Sequence, residues 1–459
     1  MSKIAALILA AGKGTRMKSD RIKVLHEVAG RPMVCWPLSA AREAGAEELV
    51  VVVGHQAEQV RNLLSNEAGL RIALQEEQLG TGHAVACGLP SLSGNSTTVL
   101  ILCGDTPLLT GATLQRLTAT HQTAKAAVTV LTARLADPLG YGRIVRDGDG
   151  RVQRIVEQKD ATPEETAISE VNSGIYCMEL DFLRAHIGSL GSDNAQNEYY
   201  LTDLVAIAAA EQRGCVAVVA DDAQEIMGVN DRVQLSQAGR LLRERINTRL
   251  MQDGVTLIDP ERTYIDAGVV IGTDTEIWPG CVLRGKTVIG KGCLLESNVQ
   301  VCDCSLGDKV HLKSGSVLAE AVLQREVAVG PMAHLRPGTV LHDQVKIGNF
   351  VETKKAVLGA GSKASHLTYL GDAEIGQEVN VGCGTITCNY DGVNKHKTVI
   401  GDNVFVGSDV QLVAPVTVGR GALIAAGTTV TQDVPPDSLA ISRTPQVNKE
   451  GWCLRKKPC

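Results

Sequence analysis

Two groups of side chains in this sequence have the types and spacing to do chemistry. The first begins at Leu9-Ala10-Ala11-Gly12-Lys13-Gly14-Thr15-Arg16-Met17, directly after an aliphatic run. Glycines at a strand-to-helix turn leave backbone N–H groups free to face phosphate oxygens. Lys13, Arg16 and the nearby Lys23 could neutralise a triphosphate. The turn lacks the upstream Gly and the Lys-Ser/Thr ending of a Walker loop, and Met17 stands where a dinucleotide fingerprint has its third Gly. Read locally, it fits a phosphate cradle or a plain structural turn equally well. Asp105, in Gly104-Asp105-Thr106-Pro107-Leu108, closes a second aliphatic run, where a carboxylate can hold a divalent metal against phosphates; a turn former before Pro107 is its plainer reading. The second group is the densely polar stretch 349–400. It holds Asn349-Phe350-Val351-Glu352-Thr353-Lys354-Lys355, Ser365-His366-Leu367-Thr368-Tyr369-Leu370-Gly371-Asp372, and the run from Asn380 through Cys383 and Asn389 to Gly392. His366 alone reads as a hydrogen-bonded structural histidine; in the company of Lys354, Tyr369 and Asn389 it reads as catalytic.

The elements that must position these groups follow from apolar patterning. IAALILA, ELVVVVG, STTVLILCGD and AAVTVLTAR read as buried strands, separated by helical stretches such as 33–44 and 82–89. Strands alternating with helices predict a mainly parallel, Rossmann-like α/β sheet covered on both faces, with ligands beyond the carboxyl ends of its strands. Leu235, Leu242, Ile246 and Leu250 then recur at helical spacing, predicting one amphipathic linker helix over 233–253. After it, Ile271, Ile277, Leu283, Ile289, Leu295 and Val301 fall on every sixth residue. The period resumes with Leu323, Val329, Leu335, Leu341 and Ile347, and again with Ile400, Val406, Leu412, Val418, Ile424 and Val430. A six-residue aliphatic period predicts a parallel β-helix, each hexad forming one flat side. Gly272, Gly290, Gly348, Gly376, Gly401, Gly407 and Gly419 follow ladder residues and are expected to supply permissive corner dihedrals, while 349–400 reads as an interruption of the hexads. The domains expected are 1–232, the linker 233–253, and 254–459, ending in a solvated tail, GWCLRKKPC.

Composition agrees and excludes several classes. The 459 residues suit two or three domains, and 44% hydrophobic with 21% charged residues describe a soluble globular chain. A net charge of −6 gives no electrostatic footprint for nucleic acid or an anionic membrane. Only 3% of residues are aromatic, and Gly reaches 47, as expected for a narrow, turn-rich prism filled with small aliphatic side chains. Thirteen cysteines without a CxxC pair read as reduced thiols of a cytoplasmic protein. No apolar run approaches the ~18–20 residues of a membrane span, and the opening MSKIAALILAAG reads as a buried first strand rather than a signal peptide.

LxxGxGTRM, Lys23-Val24-Leu25, Gln78-Leu79-Gly80-Thr81-Gly82-His83-Ala84 and Gly104-Asp105-Thr106-Pro107-Leu108 together resemble the sugar-nucleotide pyrophosphorylases. With HLTYLGDAEIG and GTITCNYDG added, the chain from Leu9 to about Gly451 resembles the bacterial bifunctional N-acetylglucosamine-1-phosphate uridylyltransferase and glucosamine-1-phosphate N-acetyltransferase family. The resemblance implies a left-handed β-helix, a homotrimer, and two consecutive reactions serving cell-wall synthesis. Acetyl-CoA, as co-substrate, acetylates glucosamine 1-phosphate; UTP then joins N-acetylglucosamine 1-phosphate, releasing pyrophosphate and UDP-N-acetylglucosamine. It implies that Leu9, Ala10, Ala11, Gly12, Arg16, Lys23, Cys103 and Gly104 serve the uridylyl site, with Gln75, Gly80 and Thr81 reading uracil. Gly140, Glu157 and Asn172 would hold the amino sugar, and Asp105 with Asn230, in Gly228-Val229-Asn230-Asp231, would bind Mg²⁺ through hard oxygens.

In the acetyl site the resemblance makes His366 the general base, a role suited to an imidazole of ordinary pKa about 6.5. Arg336, Lys354, Tyr369 and Asn380 would bind the sugar phosphate; Cys383, Asn389, Tyr390, Ser408, Ala426 and Arg443 would hold acetyl-CoA or the developing oxyanion. Lys395 would lie in a loop contributed by a neighbouring chain. Two positions depart from the family pattern: Cys103 where Tyr is expected, and Cys383 where Ala is common. Both are small side chains at backbone-read positions, so altered packing with retained activity is expected. Alternatives are a single-activity pyrophosphorylase with a regulatory β-helix, and a non-catalytic scaffold with a decayed nucleotide site.

Overall fold

The run IAALILA forms the strand Ile4–Ala10, central to a sheet whose order is Cys215–Val219, Val128–Arg134, Glu170–Glu179, Thr98–Cys103, Ile4–Ala10, Ala46–Val53, Leu70–Leu74. The computed structural model describes residues 3–54, 57–65 and 67–455; Met1, Ser2 and the last four residues of the tail lie outside that set. The chain divides into two compact units between Leu242 and Arg243.

In the first unit every strand pairing along that order is parallel except those of Glu170–Glu179, which runs antiparallel to both neighbours. Alternate residues of Ile4–Ala10 face opposite ways. Ala6 and Ile8 pack with Leu38, Ala41, Leu114 and Leu117, while Ala5 and Leu7 pack with Val85, Leu89 and Leu204. Burial on both faces explains why the strand reads as an unbroken apolar run. The antiparallel strand does not read that way, because its polar residues are buried and internally satisfied. Glu170 accepts from Thr132 Oγ1 at 2.9 Å and from Arg146 at 2.7 and 2.9 Å, and Ser173 Oγ donates to Leu131 O at 2.6 Å. A hairpin, Arg143–Arg146 with Val152–Val156, branches from its start. A 21-residue helix, Arg232–Gln252, follows, with Leu242, Ile246 and Leu250 buried and Leu235 partly so.

The second unit is a parallel β-helix built from an 11-stranded and a 17-stranded ladder of very short strands. All the six-residue ladder positions predicted from sequence are buried. Val282 pairs with Gln300 and Val322 with Val340, giving coils of eighteen residues, but Gln300 pairs with Val317 and Lys346 with Lys363, giving coils of seventeen. The phase slips are thus corners one residue shorter. Across a projecting loop at 389–397, Ile386 pairs with Gln411, twenty-five residues on.

Two expectations are corrected. The stretch 349–400 does not interrupt the coils: Glu352–Leu358, Lys363–His366, Tyr369–Ile375, Asn380–Val381 and Ile386–Cys388 are all ladder strands. The inward positions there are Thr353, Leu358, Ala364, Leu370, Ile375, Val381 and Thr387; the small and hydroxylated ones, and the five-residue steps to Leu358 and Ile375, hide the period. Nor do the glycines after ladder residues supply positive φ. Left-handed corners fall at other residues, including Asn298, Met332, Phe350, Leu367 and Asp409, whereas the named glycines allow coils to approach. At Gly348 an added Cβ would lie 1.8 Å from Ser365 O of the next coil. Asp side chains stitch the corners: Asp308 accepts from Lys291 N, Asp343 from Arg325 N and Asp402 from Gln377 N, each at 2.8–2.9 Å.

Candidate active sites

In the first unit the Ile4–Ala10 strand runs into an open cleft of about 270 Å³ lined by Ala10, Ala11, Gly12, Lys13, Gly54 and Gln78. Leu9 O accepts from Gly104 N at 2.8 Å, joining the loops that leave two adjacent strands, and Ala11 O accepts from Gln78 Nε2 at 2.6 Å. A Cβ at Gly12 would meet nothing within 4 Å, so the loop backbone borders open space. Met17 is buried and anchors the single turn Thr15–Met17, leaving Arg16 and Lys13 exposed with no ion pair among the described residues.

Lys23 Nζ lies 2.5 Å from Asp105 Oδ2 and 3.1 Å from Asn230 Oδ1. Asp105 O accepts from Val229 N at 2.9 Å, and Asn230 N donates to Gln234 Oε1 at 2.7 Å, so backbone as well as side chains fix this triad. A carboxylate and an amide oxygen already converge on one cation, the Lys23 ammonium. That donor set fits Mg²⁺, which takes a few protein oxygens and fills its other positions with water and phosphate. Among the described residues no group of three or more His, Cys, Asp or Glu is arranged to hold a metal. Beside Asp105, the Cys103 thiol donates to Gly174 O at 3.6 Å. Desolvation and the Asp105 charge push that thiol up to about 12, leaving it protonated near neutral pH.

Gln75 is buried and donates to Gly80 O at 3.2 Å, just before the helix Thr81–Gly88; Thr81 Oγ1 accepts from Leu201 N at 3.2 Å. On the far strands, Asn172 N donates to Gly142 O at 2.9 Å, and Asn172 Oδ1 accepts from Tyr176 OH at 3.0 Å and Gly174 N at 3.1 Å. Gly142 stands between two candidates, since a Cβ there would be 3.5 Å from both Asn172 Cβ and Glu157 Oε1. Gln158 Oε1 accepts from Gly140 N at 3.1 Å and from the buried Arg143 Nη2 at 2.9 Å, holding the Gly140 turn. Desolvation, then repulsion from Asp160, holds the Glu157 carboxyl above its usual range.

In the second unit the candidates gather on the two sides of the prism that meet at the His366 corner and at the far corner of the second side. His366 ends the strand Lys363–His366 and is exposed, with Nδ1 2.8 Å from Asn349 Oδ1 of the preceding coil. After a corner at Leu367, the next side presents Tyr369, which pairs in register with Glu352 and Ile386. The Tyr369 ring lies over Gly371, where any Cβ would meet it at less than 3 Å. At the far corner Arg336 Nη1 donates to Glu352 Oε1 at 2.8 Å, and Lys354 stands in the register position beside Gly371. Lys395, by hydrogen bonding and charge, and then Arg336 hold the Lys354 ammonium below its usual range. Three cations in that arrangement are suited to a phosphate.

The other candidates continue the His366 corner upward through backbone bonds. Gly384 N donates to Leu367 O at 3.0 Å, Asp409 N to Cys383 O at 2.7 Å and Gly427 N to Ser408 O at 2.8 Å, so Cys383, Ser408 and Ala426 stack on successive coils. Arg443 Nη1 donates to Ala426 O at 2.7 Å. Asn380 N donates to Val404 O at 3.0 Å and is half-buried in the same side as His366. Asn389 is buried and donates to Asp372 Oδ2 at 2.5 Å, while Tyr390 is exposed and bridges to Lys395 across the projecting loop. Asp391 pins that loop, accepting from Val393 N, Asn394 N and His396 Nε2, contacts that hold its carboxyl far below the usual range.

Asn349, Glu352, Asp372, Gln78 and Gln158 hold candidate residues in place, yet sequence reasoning gave them no role. For Asn349 a signal existed: it precedes His366 by seventeen residues, one short coil.

Comparison with known proteins bears on both units. Residues 6–159 match the MobA-like NTP transferase domain family, 265–362 the GMPPB C-terminal domain, and 397–432 the bacterial transferase hexapeptide (six repeats). The bifunctional protein GlmU of Trichlorobacter lovleyi is 75% identical over 453 residues, covering 99% of this chain and 98% of that protein. Its counterparts in Pelobacter propionicus and Geotalea uraniireducens are 68% and 63% identical, each covering 100% of this chain and 99% or 100% of their own length.

Proposed function

Because this chain belongs to the family of bifunctional GlmU proteins, we infer that it makes UDP-N-acetylglucosamine by two transfers, one in each unit. The observation that carries this reading is that each compact unit holds its own polar cluster: a cation shared by two oxygens in the first, an imidazole with its Nδ1 engaged in the second. We assign uridylyl transfer to residues 1–232 and acetyl transfer to 254–459, with 233–253 as linker.

In the acetyl reaction His366 Nε2 takes a proton as the amine of glucosamine 1-phosphate attacks the thioester carbonyl of acetyl-CoA, and the coenzyme leaves as its thiolate. Arg336, Lys354, Tyr369 and Asn380 bind the sugar phosphate. Asn389, Tyr390 and the stacked corner of Cys383, Ser408, Ala426 and Arg443 hold the coenzyme and the oxyanion.

In the uridylyl reaction the phosphate oxygen of N-acetylglucosamine 1-phosphate attacks the α-phosphorus of UTP and pyrophosphate leaves. That oxygen is already anionic, so no general base is needed and catalysis rests on alignment and charge. The Leu9–Gly12 backbone, Cys103 and Gly104 shape the cleft, Arg16 and Lys23 neutralise phosphate, and Gln75, Gly80 and Thr81 read uracil. Gly140, Glu157 and Asn172 hold the sugar. Asp105 and Asn230 would hold Mg²⁺, which supplies Lewis-acid neutralisation of the phosphates.

A homotrimer is part of the proposal, supported by the exposed apolar side chains Met332, Phe350 and Leu367 next to His366. No described helix is long and apolar enough to cross a membrane. We place the protein in the cytoplasm on its cysteine usage, thirteen thiols without a CxxC pair. The test is two variants and two assays. Asp105→Ala is expected to abolish pyrophosphate release from UTP while sparing CoA release from acetyl-CoA, and His366→Ala to do the reverse. Either variant retaining its own reaction near the unaltered rate overturns the assignment.

A further inference from the structure

His366 belongs to a two-coil arrangement that no role yet accounts for. Asn349 and His366 are register partners on the parallel strands Lys346–Asn349 and Lys363–His366, and both end at the same corner. The backbone is tied there as well: Leu367 N donates to Asn349 O at 3.1 Å, and Thr368 Oγ1 donates to His366 O at 2.7 Å. Between the side chains, His366 Nδ1 lies 2.8 Å from Asn349 Oδ1. An amide oxygen can only accept, so this bond requires a hydrogen on Nδ1 and leaves the lone pair on Nε2.

We propose that Asn349 is a positioning residue for the acetyl-transfer base, fixing the His366 tautomer and steadying the imidazolium that forms when Nε2 takes the amine proton. The assignment rests on the reading of His366 as that base. In the protonated ring both nitrogens donate, and Asn349 Oδ1 keeps its bond through the proton transfer without moving. A neutral amide does this without adding a charge at the ring. The charged and titratable groups on the surrounding elements are Lys346 and Lys363 at the starts of the same two strands, Glu352, Lys354 and Tyr369 on the next side, and Cys383 along the corner. None of them is recorded at hydrogen-bonding distance from Nδ1, where Asn349 Oδ1 sits.

The full-length protein tests this through three variants, assayed for CoA release across pH. Asn349→Ala is expected to lower kcat roughly ten- to a hundredfold, with KM for acetyl-CoA and glucosamine 1-phosphate changed less than about twofold. Asn349→Asp, isosteric and still an acceptor, is expected to keep most of the rate but move the acidic limb of the kcat profile upward by about one pH unit, since a carboxylate at Nδ1 favours the charged ring. That shift is a readout that mere loss of folding does not produce. An acidic limb left in place by Asn349→Asp, or a kcat left within about twofold by Asn349→Ala, overturns the proposal. His366→Ala separates the two levels: if it retains acetyl transfer, the reading of the base itself fails, whereas a dead His366→Ala beside an unaffected Asn349→Ala removes Asn349 alone.

Discussion

Glu157 is a carboxylate kept where the fold would rather have none. Desolvation and the neighbouring Asp160 charge hold its carboxyl above the usual range. A carboxyl whose folded pKa exceeds its unfolded one contributes fully below the unfolded pKa, and that contribution is lost as pH rises through the folded pKa. At pH 8 the charged Glu157 therefore weakens the first unit, and its place beside Gly142 and Asn172 suits it to a sugar hydroxyl instead. Glu157→Gln is expected to melt higher than the unaltered protein at pH 8, with the gap closing towards pH 4, while KM for N-acetylglucosamine 1-phosphate rises about tenfold, one lost hydrogen bond to a charged group. Calorimetry at the two pH values and initial rates check the pair; a lower melting temperature at pH 8 would contradict the burial argument. Cys103 makes the opposite kind of compromise. Its thiol contacts Gly174 and is pushed up to about 12, so a side chain with nucleophilic potential sits inert beside the Asp105 carboxylate proposed to hold the metal.

The strand or the coil is the scale at which sequence reading succeeded or failed, and the failures share one cause. Ile4–Ala10 was legible because both its faces are apolar, whereas Glu170–Glu179 hides Glu170, Asn172 and Ser173 inside by pairing them with other parts of the sheet. The hexads were legible wherever Ile, Leu or Val fills the inward position. They vanish at Thr353 and Thr387, whose hydroxyls bond inside the prism, Thr387 to Gly371 N at 2.7 Å and Gly371 O at 3.0 Å. Motifs exposed the candidate site residues, but not the side chains that bond them: Asn349 meets His366 and Asp372 meets Asn389 through coil register, which a one-residue-short corner shifts out of the six-residue frame. Gly348 was read as a corner and proves to be a point of contact. A Cβ there would reach Ser365 O and its carbonyl carbon, backbone atoms that cannot swing aside. Gly348→Ala must part the two coils next to the Asn349–His366 bond. It is expected to cost about 1–3 kcal/mol of stability and to lower acetyl transfer at least tenfold, with uridylyl transfer kept. A chemical-denaturation midpoint and both assays decide it; an unshifted midpoint would mean the coils are looser than their contacts imply.

For the whole molecule, the unsettled feature is an exposed edge. Met332, Phe350 and Leu367 follow one another along the His366 corner with φ of 51°, 55° and 44°, and they are 59, 56 and 59% exposed. Large side chains in left-handed conformations cost about 1–2 kcal/mol each, and other turns of the same corner use Gly315, Gly384 and Gly427. A lone prism gains nothing from placing three apolar side chains there, since they stay in water. If neighbouring copies cover them, burial at roughly 25 cal/mol per Å² repays the strain, and the covering chain stands beside the base. If that copy also walls the proposed coenzyme corner, the proposed trimer and the acetyl site are one requirement. Phe350→Asp places a charge in that contact while leaving the inward ladder of Val351 and Thr353 untouched. Sedimentation velocity is expected to show trimers giving way to monomers, and CoA release to fall at least tenfold, while pyrophosphate release stays within about twofold because its cluster lies wholly in the first unit. Phe350→Gly separates strain from contact, since it relieves the left-handed backbone yet removes the ring. If it too dissociates the protein, the ring is the contact; if Phe350→Asp sediments unchanged with full acetyl transfer, the corner faces solvent and the trimer must close elsewhere.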